Sequence, residues 1–170
     1  MNVSGHPSVA AEPDTTGLPG TVVLEHEQLP GLEDVMVIGA FVLDLVEEPG
    51  FFRLLLNAAL RRSHPWYETP EASSAHCFRR IHVTFRAVRK LTWFSRSDRV
   101  YLDAERRMDR GCIDSFVAEP NGRYLIEGDW GGVTIESASP TVHRVHGALA
   151  ASVQRRLEID AWLAGEEQSP

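Results

Sequence analysis

Seven histidines, two cysteines and a few closely spaced carboxylates are the residues of this 170-residue chain best suited to chemistry. Glu127 and Asp129 stand two apart beside Trp130. On one strand they would share a face, and a carboxylate whose pKa is raised beside an aromatic ring could serve a small hydrolase or a metal-dependent enzyme. Any solvent-facing strand produces the same spacing. His143 and His146 are three apart, which puts them on one face of a helix but on opposite faces of a strand. His76, Cys77, His82 and Cys112 could add zinc donors, yet the cysteines lack the close pairing of structural zinc sites. Scattered rim histidines and reduced thiols are the simpler expectation. Lys90, the only lysine, lies in an arginine-rich stretch where solvation opposes the desolvated amine that Schiff-base chemistry needs. Nucleotide-binding, P-loop, nucleophile-elbow, zinc-protease and EF-hand signatures are absent. No catalytic, cofactor-binding or metal-ligating residue is therefore assigned, and no cofactor is expected.

Large aromatics in turn-forming segments point elsewhere. Trp66 and Tyr67 sit in the proline- and serine-rich stretch 63–75, and Asp129 with Trp130 in a glycine-rich turn. Tryptophan and tyrosine are enriched at binding hot spots because their broad amphipathic surface can be buried against a partner. These four residues are the candidates for partner contact. The competing expectation is that the loop aromatics fold back as a lid over the end of the core.

The elements that must carry them are mainly strands. With 43% hydrophobic and 24% charged residues, a chain of this length can bury one core without a metal or disulfide staple. Val35 to Val46 is apolar on both faces and dense in β-branched residues. Pro49-Gly50 suits a type II turn, with Pro presetting φ and Gly accepting φ > 0. The return, Phe51 to Arg62, reads as a strand, with a helix over 51–62 as the alternative because FFRLLLNAALRR is rich in helix formers. Ile81, Val83 and Phe85 then alternate with Arg80, His82, Thr84 and Arg86, the period-2 mark of a half-buried strand. A bulge near Ala87 would carry the apolar side on through Val88, Leu91 and Trp93. Residues 96–110 read as a short strand and a loop.

Glu119-Pro120-Asn121-Gly122 suits a type I turn joining 112–118 to 123–128. That register sets Glu119 against Arg123 and Phe116 against Ile126. Val133 and Ile135 open another strand. After Pro140 the period changes: Val145, Leu149, Val153 and Leu157 recur at four-residue steps, as in an amphipathic helix over about 142–164. The fold expected is an antiparallel β-sandwich with one C-terminal α-helix, and a β-barrel is the further alternative. Residues 1–20 read as a flexible tail, 21–164 as a single β-rich domain, and 165–170 as a flexible end.

Charge and address narrow the partners. The formal net charge is −7, divided into net −8 over residues 1–60 and net +6 over residues 76–110. Strands that pair Arg with Asp or Glu account for the split, and the acidic remainder repels phosphate, so no nucleic-acid partner is expected. Of 17 basic residues 16 are arginine, a skew consistent with a GC-rich bacterial genome. The longest apolar run, Val35 to Leu43, is far short of the ~20 residues of a membrane helix, so no membrane partner is expected. The first 20 residues lack the basic and apolar regions of a secretory signal, and a cytoplasmic location is expected.

The order of segments resembles a known group. An opening L-E-D-V strand at 32–35, a hairpin, the strand I-H-V-T-F-R-A-V-R-K-L at 81–91 and the closing Y-L-I-E-G-D-W-G-G-V-T-I-E-S-A at 124–138 are similar to small bacterial β-sandwich immunity-type proteins of polymorphic toxin systems and related domains of unknown function. The resemblance covers about two thirds of the chain and carries over no functional residue. It implies a non-catalytic protein-binding module that masks another protein, with acidic surface steering a basic partner. The alternatives are the enzyme built on Glu127, Asp129 and histidines, and a ligand-binding β-barrel.

Overall fold

The computed structural model describes residues 24–70, 74–102 and 108–147. In chain order the described strands are β1 (Leu24–Glu25), β2 (Val35–Glu48), β3 (Phe51–Leu60), β4 (Cys77–Arg86), β5 (Lys90–Arg96), β6 (Tyr101–Leu102), β7 (Met108–Asp109), β8 (Ile113–Glu119), β9 (Arg123–Gly128), β10 (Gly131–Glu136) and β11 (Thr141–Arg144). Among the described residues they form a four-stranded sheet ordered β11-β4-β3-β2, a five-stranded sheet ordered β1-β8-β9-β10-β5, and the small pair β6-β7. Every pairing is antiparallel, and neither large sheet closes into the barrel held as an alternative.

Residues 51–60 are a strand, which resolves the choice against a helix, and the reason is visible in its neighbours. β3 lies between β2 and β4, with Phe52, Leu54, Leu56, Ala58 and Leu60 buried in the core. Its other face is also largely covered: Leu55 is 5% exposed and Ala59 7%. A strand buried on both faces reads as a near-continuous apolar run, which periodicity alone does not separate from a helix.

One core joins the two large sheets. Phe85 of β4 packs on Phe116 of β8 and Tyr124 of β9, with ring centroids 6.3 and 5.1 Å away. β2 also ties the sheets through its backbone. It holds 14 residues against the 10 of β3, and the excess is absorbed between Met36 and Phe41 and between Val42 and Asp44. There the Val42 N–H donates to the Gly111 carbonyl at 2.9 Å, and the Arg110 N–H to that of Val42 at 2.7 Å.

The turns refine the expectations. Pro49-Gly50 is a two-residue loop with Gly50 at φ 74°, as a type II turn requires. The Glu119/Arg123 and Phe116/Ile126 register is present, and Arg123 Nε lies 3.3 Å from the Glu119 carboxylate. The turn between them is not type I, because Asn121 takes φ 69°. Ala87 likewise takes φ 51°, and it ends β4 instead of bulging it. The chain leaves for the other sheet at that point, so Leu91 and Trp93 pair with Ile135 and Val133 of β10.

The expected helix over 142–164 is corrected at its start. Thr141 to Arg144 form β11, register-paired with Thr84 to Ile81, and the Val145 N–H continues the ladder to the Arg80 carbonyl at 2.8 Å. β4 needs backbone partners on its outer edge, and β-branched Thr141 and Val142 supply them in place of a first helical turn. Residues 148–164 lie outside the described residues, as do the tails 1–20 and 165–170. Among the described residues, no helix is long and apolar enough to cross a membrane.

Candidate interaction site

Two bulges at one level of the five-stranded sheet build the most distinctive surface. Across that level Ser115, Glu127, Gly132 and Ser95 lie side by side on β8, β9, β10 and β5. On β8 the register steps from Ile113 to Ser115, leaving Asp114 as an extra residue. On β5 it steps from Trp93 to Ser95, leaving Phe94. Bulges re-aim side chains, and both extra residues line one open depression of about 330 Å³, together with Glu127, Ser95 and the glycines 128, 131 and 132.

Glycine is required on its floor. A Cβ on Gly132 would clash with the edge of the Phe94 ring, so the absent side chain is what lets that ring lie against the sheet. Phe94 is nevertheless 51% exposed. The depression therefore combines an open aromatic face with two carboxylates.

The residues picked from sequence are dispersed. Trp130 is fully buried, packed edge-on to Trp93 at 5.7 Å, which removes it from any contact surface. Its Nε1 has no hydrogen-bond partner. Asp129 is exposed, but its Oδ2 accepts from the Cys112 N–H at 2.8 Å while its own N–H donates to the Cys112 carbonyl at 3.1 Å. It anchors the turn to the start of β8. Glu127 thus shares its depression with Asp114 instead of forming a pair with Asp129.

Trp66 and Tyr67 are half-buried and pack against the core from the segment after β3. His64 orders this lid: its Nδ1 accepts from the Trp66 N–H at 3.0 Å and its ring lies 4.9 Å from the indole. Burial pushes the His64 imidazole below its usual range, against the opposing pull of Asp34 and Glu33. Glu68 then clamps the lid to the sheet, 2.9 Å from Arg79 and 3.2 Å from Arg144. Those two guanidiniums, Arg79 foremost, hold its carboxyl below the ordinary carboxylate range.

The remaining donors do not converge. His26 stacks on Phe116, His76 meets Phe78, and His82 faces His143 across β4 and β11. Both cysteines are free thiols. Burial, then Asp129, Asp109 and Asp114, push the Cys112 thiol up, which disfavours the thiolate. Among the described residues, no group of three or more His, Cys, Asp or Glu side chains could hold a metal.

Phe94 and Asp114 were not among the sequence candidates. Their only sequence signal is a break in strand alternation, and that break becomes meaningful once the partner strand is known. A second exposed feature, Met36 (40%), Ile38 (43%) and Phe78 (36%), lies where β2 loops away from β3. No known protein family, curated protein or solved structure matches the chain.

Proposed function

We propose that this chain is a non-catalytic protein-binding module, a β-sandwich acting in a bacterial cytoplasm, whose partner inserts a basic side chain into the Phe94 depression. The observation that carries this reading is the convergence of two bulge residues, Phe94 and Asp114, around Glu127. A guanidinium or ammonium gains from an aromatic face and from charge-assisted hydrogen bonds to carboxylates. The net charge of −7 adds attraction at longer range. Masking a basic partner is also the role implied by the resemblance to immunity-type proteins.

The test uses a short arginine-containing peptide and its citrulline counterpart, which keeps the shape and removes the charge. The arginine peptide should shift the amide resonances of Glu127, Gly128, Gly131 and Gly132, with an affinity that weakens as salt rises. Asp114→Asn with Glu127→Gln should lower that affinity at least tenfold. Equal binding of the citrulline peptide, or shifts confined to another face, would sink the proposal.

A further inference from the structure

His82 and His143 are directly opposite each other across β4 and β11, on the face turned away from the core. β11 is a four-residue edge strand whose described sheet pairing is to β4, so its hold on the domain depends on that ladder and a few contacts beside it. Imidazole is the side chain that gains charge between about pH 8 and pH 5, and like charges directly opposite in a sheet repel. We propose that the His82–His143 pair is a pH-operated latch that holds β11 on the sheet when neutral and releases it on acidification.

The surroundings favour neutral His82. Arg53 of β3 and Arg80 of β4 share this face with His82, and Asp44 of β2, only 5% exposed, opposes them across Leu55. Burial, then the Arg53 charge, lowers the His82 pKa; Asp44 raises it, and His143 lowers it further. The sign follows from linkage: the released strand binds protons more readily than the latched one. Attachment is strongest above the ordinary histidine range and weakens as pH falls through it.

Val142 packs against the core, and two polar contacts hold the same segment. Arg144 meets Glu68 at 3.2 Å, and Arg80 Nη1 donates to the Gly147 carbonyl at 2.8 Å. Glu68 stays ionised to below the ordinary carboxylate range, and a guanidinium does not titrate here, so neither contact fails where the histidines charge. Release between about pH 8 and pH 5 would belong to the imidazoles.

Amide hydrogen exchange on the full chain tests this. After correction for intrinsic rates, protection at His143 and Val145, whose N–H groups face β4, should fall at least tenfold between pH 7.5 and pH 5.5, while Leu125 and Ile126 of β9 stay protected. His143→Gln should flatten most of that step, and Glu68→Gln should leave it in place. If His143→Gln fails to fold, imidazole proton titrations of the native chain must share their midpoints with the loss of protection. A step that survives His82→Gln with His143→Gln, protection lost from both sheets together, or midpoints that do not coincide would overturn the latch.

Discussion

Trp66 and Trp130 begin in similar settings, each in a stretch of turn-forming residues, and end in opposite places. Trp130 is enclosed where the two large sheets meet, whereas Trp66 lies half-buried over the end of the same core. Their neighbours decide the difference. Glycines on both sides of Trp130 let the chain close up around it: Gly128 of β9 lies against the Cys112 carbonyl and the indole Nε1, and Gly131 of β10 against the Ser95 carbonyl of β5. Pro65 and Trp66 lie in a turn outside the sheets, closed by the Tyr67 N–H to the His64 carbonyl at 2.9 Å, and that loop can only cover. Glycine-flanked aromatics can plug, and proline-flanked aromatics can cap.

The largest expected effect separates the plug from the cap. Trp130→Ala should cost about 3–5 kcal/mol in denaturant unfolding, the range for deleting a buried large aromatic. Trp66→Ala should cost about 1–2 kcal/mol, since only part of its surface leaves water. Equal costs would break the comparison. Trp130→Phe sharpens it: this change removes the unpartnered Nε1 along with part of the ring, so it should cost well under half of the alanine value.

Gly132→Ala separates stability from binding. The new Cβ displaces the Phe94 ring, at about 1 kcal/mol of overpacking. The arginine peptide should nevertheless lose at least tenfold in affinity, because the aromatic wall of the depression moves. Unchanged affinity would mean that Phe94 takes no part in the contact.

Acid should loosen the cap through Glu68. The folded chain favours the ionised carboxylate, so its contribution is complete above the ordinary carboxylate range and is lost as pH falls through the lowered value. Hydrogen exchange at Tyr67, whose N–H donates to the His64 carbonyl at 2.9 Å, should rise below about pH 4, and Glu68→Gln should remove that dependence. The smallest effect belongs to the hairpin tip. A double-mutant cycle on Glu119 and Arg123 should return no more than about 0.5 kcal/mol, as for other solvent-screened pairs.

The hairpins were legible because local chemistry specifies them. Pro49-Gly50 set one turn, and the spacing around Asn121-Gly122 set the Phe116/Ile126 register despite the different turn type. The site was not legible, because an extra residue in a strand is defined only against its partner. Asp114 and Phe94 stand far apart in sequence and become neighbours through β9 and β10, which lie between β8 and β5. Trp130 looked like a surface residue because turn composition signals chain reversal without saying what the reversal encloses.

What the sequence by itself determined is a mainly β chain, with its inward and outward positions and its tight turns, since these follow from period-2 alternation and from φ preferences at Pro and Gly. Tertiary structure alone decided which sheet each strand joins, that Thr141 to Arg144 extend β4, and that Phe94, Asp114 and Glu127 meet. Those outcomes depend on which exposed backbone edge finds a partner and on how two strands of unequal length share one ladder. A local run of residues does not contain its partner's edge, so only the folded chain can set the result.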